Sequence, residues 1–133
     1  MMQAGKYYVG DLCYVMHDVW DEVVDLMYPG GMRSDGEFEL KDGRKFAIYS
    51  TQWGDGQYPA SNGDSVVVDS GTIGCILADD IRDDQYDAET LKDLATYEEF
   101  NRPFTTYGYG NGQIAFGLLT IDTDPYESDY DEE

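Results

Sequence analysis

Apolar and polar positions organise the chain most clearly between residues 44 and 77. In Phe46-Ala47-Ile48-Tyr49-Ser50 side chains of a strand alternate, so Phe46 and Ile48 face one way and Ala47 and Tyr49 the other. Val66-Val67-Val68 is β-branched at every position, which favours a strand. Thr72-Ile73-Gly74-Cys75-Ile76-Leu77 reads as a third. Trp53-Gly54-Asp55-Gly56 and Asp69-Ser70-Gly71 supply turn chemistry between them. The pattern predicts three strands in a meander, around which the rest of the chain is arranged.

The flanks add shorter elements. Lys6-Tyr7-Tyr8-Val9-Gly10 predicts a first strand, and Leu12-Cys13-Tyr14-Val15-Met16 a second short strand or the approach to a helix. A helix is expected over 18–28, with Asp18 as N-cap and Asp21 and Glu22 in the first turn. Val19, Trp20, Val23, Val24 and Met27 fall on one helical face, and Pro29-Gly30-Gly31 stops it. Glu37-Phe38-Glu39-Leu40 alternates, and Asp42-Gly43 turns it into the Arg44 strand. A shorter helix is expected over 88–99, capped by Asp87, with Leu91, Leu94 and Ala95 as its apolar stripe. Phe104-Thr105-Thr106-Tyr107 predicts a strand, 108–112 a glycine-rich turn, and 113–121 one closing strand.

The expected fold is therefore α+β. Seven or eight short antiparallel strands form a mostly antiparallel curved sheet or partly open barrel, with the main helix on one face. One globular domain spans 1–121, and an acidic, flexible tail spans 122–133. The expected core is Tyr8, Val9, Val15, Trp20, Val23, Val24, Met27, Phe38, Phe46, Ile48, Val67, Ile73, Ile76, Ile114, Phe116 and Leu118.

Charge changes this picture most. Twenty-eight acidic residues against eight basic ones give −20 over 133 residues. The surplus is uneven: residues 1–78 carry 12 acids and 5 bases, residues 79–133 carry 16 and 3. Such a field repels nucleic acid, phosphate-rich ligands and anionic membranes and attracts basic protein surfaces. A solvated, solubilising surface is the plainer reading of the same charge. No apolar run approaches the length of a membrane helix. No signal-peptide pattern opens the chain. The cytoplasm is the expected location, and Cys13 and Cys75 are expected as free thiols, although one pairing is open to them.

Candidate chemistry is sparse. His17 is the only histidine. With Cys13 and Asp11 it suggests a Cys–His pair or a partial zinc site, but capping at a helix start explains it as well. Asp79-Asp80-Ile81-Arg82-Asp83-Asp84 has neither the spacing nor the glycine of a calcium loop. Gly108-Tyr109-Gly110-Asn111-Gly112 matches no phosphate-binding glycine motif. No catalytic residue, metal site or cofactor is assigned, and an enzyme is the minority reading.

Two surfaces stand out. Asp79, Asp80, Asp83, Asp84 and Asp87 recur at spacings of three and four, and Glu89 and Asp93 extend the row. On a helix they would share one face; on a loop they would still form a ridge. Carboxylates at such density can stand in for nucleic-acid phosphates on a basic surface. Trp53, Tyr58, Tyr107 and Tyr109 sit beside glycine turns and are the candidate lining of a ligand pocket. Twelve of the nineteen aromatic residues are tyrosines, which serve contact surfaces as readily as cores.

Tyr7-Tyr8-Val9-Gly10-Asp11-Leu12-Cys13-Tyr14-Val15, Trp53-Gly54-Asp55-Gly56-Gln57-Tyr58 and Val68-Asp69-Ser70-Gly71-Thr72-Ile73-Gly74 resemble segments of small proteins from bacteriophages and their hosts. The resemblance covers roughly the first 80 residues and implies a phage or prophage setting, with no catalytic residues to carry over. Small acidic phage proteins often inhibit host defence, as anti-restriction or anti-CRISPR proteins do. The leading expectation is thus a noncatalytic acidic protein that binds a basic, nucleic-acid-binding host protein in the host cytoplasm, without itself binding nucleic acid or membrane. A nucleotide-sequestering protein and a structural phage protein are the alternatives, and a homodimer is compatible with each.

Overall fold

The computed structural model describes residues 1–32, 34–83, 85–109 and 112–124. Its fold is α+β, with ten short strands among the described residues, three antiparallel sheets, two α-helices and no closed barrel. The strands are β1 Gly5–Gly10, β2 Gly36–Glu39, β3 Lys45–Ser50, β4 Gly56–Pro59, β5 Ser65–Val68, β6 Thr72–Leu77, β7 Thr96–Phe100, β8 Thr106–Gly108, β9 Gln113–Phe116 and β10 Leu119–Asp122. The helices are α1 Trp20–Met27 and α2 Ala88–Leu94. The large sheet runs β2-β3-β6-β1-β7. The β4-β5 hairpin and the β10-β9-β8 sheet cover one of its faces, joined to each other by an Ala60–Ile121 bridge.

Alternation along the strands explains this layering. Tyr7 and Val9 of β1, Ala47 and Tyr49 of β3, and Ile73 and Cys75 of β6 face Tyr58, Val66, Val68, Ile114, Phe116 and Ile121 of the smaller sheets. Tyr8, Phe46, Ile48 and Ile76 point the opposite way, against Leu12, Val15, Met16, Val23, Met27 and Leu91 of the helical layer. The large sheet is therefore buried on both faces, which is why β3 and β6 read as nearly continuous apolar runs.

Several expectations are corrected. The central stretch is not a meander: β3 pairs directly with β6, and β4 and β5 leave the sheet between them as a separate hairpin. Of the two readings of 12–16 the approach to a helix holds: Leu12–Tyr14 is a 3-10 turn leading toward α1. His17–Val19 forms another such turn, α1 begins at Trp20, and Asp18 does not cap it. Val23 and Met27 are buried, but Val24 is exposed; Trp20, Phe38 and Val67 are half-buried. The second helix ends at Leu94, because Ala95 is already extended and Thr96–Phe100 pairs with β1. The stripe Leu91, Leu94, Ala95 had no apolar continuation, so the β-forming Thr96-Tyr97 and the long-range ladder prevail. The single strand over 113–121 is two: Gly117, at φ +59°, reverses the chain. Leu118 falls in that turn and is 98% exposed instead of in the core.

Thr123 is buried, and Asp124 accepts a hydrogen bond from Trp53, so packing continues past residue 121. The rest of the expected tail, residues 125–133, lies outside the described residues. No helix among the described residues is long and apolar enough to cross a membrane. Both cysteines are free, Cys75 between the sheets and Cys13 on the helical side.

The buried tyrosines give the fold a pH limit. Burial pushes the phenols of Tyr7, Tyr8 and Tyr14 well above their ordinary value of 10. Because the folded values are raised, these groups keep their full stabilisation below pH 10 and lose it as pH rises further, where only the unfolded chain sheds protons. Tyr8, fully buried, contributes a slope approaching about 1.4 kcal/mol per pH unit. Urea midpoints are expected to be flat from pH 7 to 8, to decline around pH 9 as the unfolded chain sheds the thiol protons of Cys13 and Cys75 that burial keeps on the folded chain, and to fall steeply above pH 10. A midpoint independent of pH up to 11 contradicts this.

Candidate functional site

The three segments singled out by resemblance meet in space, and Asp11 joins two of them. Its side chain is fully buried at the end of β1. Oδ1 accepts from the Cys13 amide at 2.9 Å and the Ser70 hydroxyl at 2.8 Å. Oδ2 accepts from the Asp69 and Ser70 amides, each at 2.7 Å. The Asp11 carbonyl accepts from the Tyr8 hydroxyl, and the Tyr14 hydroxyl donates to Asp69. The Trp53-Gly54 turn is tied in separately: the Gly54 carbonyl accepts from the hydroxyls of Thr51 and Tyr58, and the Thr51 amide donates to the Gly71 carbonyl. These contacts lock the loops, and every buried side-chain nitrogen and oxygen among the described residues has a hydrogen-bond partner.

The thiol beside this junction is held protonated. Burial, and then the neighbouring Asp11 carboxylate, push the Cys13 thiol far above its ordinary value. A nucleophilic cysteine needs the opposite environment. His17 is exposed in the turn that follows. No group of three or more His, Cys, Asp or Glu among the described residues is placed to hold a metal ion.

The acidic row is distributed over three kinds of backbone. Asp79 and Asp80 belong to the 3-10 turn Ala78–Asp80, Asp83 to the irregular segment after it, and Asp87, Glu89 and Asp93 to the start and body of α2. It is therefore not one helical face, although Glu89 and Asp93 are four residues apart on α2 and share a side. Some of its members have structural tasks. Asp83 accepts from the Asp18 amide at 3.3 Å and the Gln85 amide at 2.9 Å. The Asp87 carboxylate caps α2 by accepting from the Thr90 amide at 2.8 Å, and that bond holds its carboxyl below the usual range. The Asp80 carbonyl accepts from Arg44. Asp79, Glu89 and Asp93 are exposed and form no ion pair with a described residue. Asp84 lies outside the described residues.

The aromatic candidates only partly converge. Tyr58 is buried between the sheets. Trp53 is exposed, and its Nε1 donates to Asp124 at 2.8 Å. Tyr107 and Tyr109 are exposed and meet edge to face at 4.8 Å. They line a cleft of about 450 Å³ together with Asp35, Tyr49 and Ser50, without Trp53 or Tyr58. Tyr49 is fixed there by a relay in which its hydroxyl donates to Thr106, whose own hydroxyl donates to Glu37. The carboxylate of Asp35 makes this cleft unfavourable for a phosphate.

Sequence reasoning missed a larger cleft, of about 750 Å³, between the outer side of β7 and the β9-β10 turn. Phe100 and Phe104 stack there at 3.8 Å between ring centroids, and Leu118 stands at the rim. Leu118-Leu119 reads as part of a single closing strand, with Leu118 in the expected core, so the pattern carries no sign of this cleft.

The fold and charge define a strand-rich α+β domain with an acidic surface. Searches against protein-family models, curated proteins and solved structures found no match to the chain.

Proposed function

We propose that this chain is a noncatalytic, phage-encoded inhibitor that binds a basic, nucleic-acid-binding surface of a host defence protein and occupies the place of the nucleic acid. The observation that carries the reading is the charge: −20 overall, with most of the surplus after residue 78. Its exposed part includes Asp79, Glu89 and Asp93, which are free of described ion pairs. A surface of this kind steers basic partners, raises association rates and makes them salt-dependent. The resemblance of three segments to small phage proteins supports the phage setting. The nucleotide-sequestering alternative has less support, because the proposed aromatic lining is dispersed and the tyrosine cleft carries a carboxylate.

The test is capture from bacterial lysate on the tagged chain at low and at high salt, with the eluate identified by mass spectrometry. A stoichiometric nucleic-acid-binding protein, lost at high salt and displaced by DNA or RNA, is the expected result. The triple variant Asp79→Lys, Glu89→Lys, Asp93→Lys should then bind that protein roughly 10- to 100-fold more weakly. Unchanged affinity removes this surface from the interface.

A further inference from the structure

We propose that the cleft beside β7 receives an extended, basic segment of a partner protein, which adds as a further strand to the edge of the large sheet. The proposal shares with the function above only the basic character of the partner; it concerns a different surface.

The sheet order ends at β7, whose inner side pairs with β1. No described strand lies on its outer side, so alternate backbone N–H and C=O groups there are available for pairing. The cleft runs along residues 98–105 and is closed on its far side by residues 117–119 and by Ser61 and Asn62. Its apolar floor is the stacked Phe100–Phe104 pair. Leu118, the most exposed large apolar side chain among the described residues, stands at the rim. An open edge supplies main-chain hydrogen bonds, and an adjoining apolar groove takes alternate side chains; together they are the requirements for strand addition.

Charge favours a basic occupant: the lining holds Glu98 and Glu99 against one cationic side chain, Arg102, Glu99 is also opposite Lys6, and the whole chain carries −20. β7 presents Glu98 and Glu99, one on each face of the sheet. Antiparallel pairing of β7 with β7 of a second copy, centred on Glu98 or on Glu99, would bring that glutamate against its counterpart, and like charges across a ladder are destabilising. Each copy also carries −20. A segment in which basic and apolar residues alternate lays its apolar side chains in the groove on the face of Glu98 and Phe100 and its basic ones on the opposite face, beside Glu99. β7 has five residues, about 17 Å of ladder, so five to seven residues of partner are engaged.

The experiment uses the full chain, isotopically labelled for NMR, and a capped seven-residue peptide of alternating lysine and valine at physiological salt. Amide shifts are expected at Glu98, Glu99, Phe100, Leu118 and Leu119, with exchange of the outward β7 amides slowed at least tenfold at saturation. Leu118→Asp, at a fully exposed position, should weaken binding at least tenfold, whereas the triple lysine variant of Asp79, Glu89 and Asp93 should change it less than threefold. Equal binding by a peptide N-methylated at alternate amides overturns strand addition, because charge and side chains are kept and pairing is lost. Shifts confined to residues 79–93, or none at millimolar peptide, also overturn it. Concentration-dependent self-association abolished by Leu118→Asp would replace the basic segment with a second copy. A failed lysate capture with this pattern intact would remove the inhibitor reading and leave the strand site standing.

Discussion

Asp11→Ala is expected to lower the unfolding free energy by about 3–5 kcal/mol, the range for breaking a buried charged network. The carboxylate accepts four hydrogen bonds, three from the backbone amides of Cys13, Asp69 and Ser70 and one from the Ser70 hydroxyl. Alanine would leave those part-buried donors without their acceptor, and each orphaned donor costs up to about 1–3 kcal/mol unless water reaches it. Asp11→Asn keeps the volume but turns an N–H₂ group toward amide donors, so it should recover less than half of the loss. Urea unfolding of the three proteins decides the matter. A loss below 1 kcal/mol for alanine would mean that the junction of the 11–14 and 69–71 loops is not held by this side chain.

Gly74→Ala should be comparably severe for a different reason. Gly74 sits in the middle of β6, opposite Gly10 on one side and Ile48 on the other. A Cβ there would lie 2.2 Å from the Ala47 carbonyl oxygen and 2.6 Å from Leu12 Cδ1. The nearer atom is backbone of the adjoining strand, so relief requires opening the β3-β6 ladder rather than turning a side chain. Overpacking commonly costs 1–3 kcal/mol; displacement of a central ladder places this case at about 3 kcal/mol or more, a fall in Tm exceeding roughly 10 °C. Gly108→Ala is the comparison. Its Cβ would meet the ring of Tyr49 at 2.8 Å, a side-chain atom rather than backbone, so relief requires a shift of that ring and not the opening of a ladder. Equal melting temperatures for the two variants would contradict the account.

The strands were legible where their determinants are local. Phe46, Ala47, Ile48 and Tyr49 alternate, and their faces could be assigned from period two alone. The Asp42-Gly43 hairpin was legible for the same reason, since turn chemistry and flanking alternation coincide. β7 was not, because its identity is set by pairing Tyr97 with Tyr8 and Glu99 with Lys6, about ninety residues earlier. Asp11 reads locally as half of a Gly-Asp turn, while its decisive partners Asp69 and Ser70 are 58 and 59 residues away. The acid spacing left a helical face and a loop ridge open, and the helical face fails because Asp79 and Asp80 lie in a 3-10 turn that precedes α2. Trp53 and Tyr58 were grouped by proximity in sequence, yet alternation sends Tyr58 into the sheet interface.

The placement of the two thiols on opposite faces of the large sheet has a kinetic consequence. Alkylation of Cys75 requires the inter-sheet layer to open, and alkylation of Cys13 requires only the turn after β1 to loosen. The chain thus carries two built-in clocks for subglobal opening. If both thiols react at one rate under native conditions, the layers separate as a single cooperative unit. If Cys13 reacts orders of magnitude sooner, the helical layer breathes while the paired sheets stay shut.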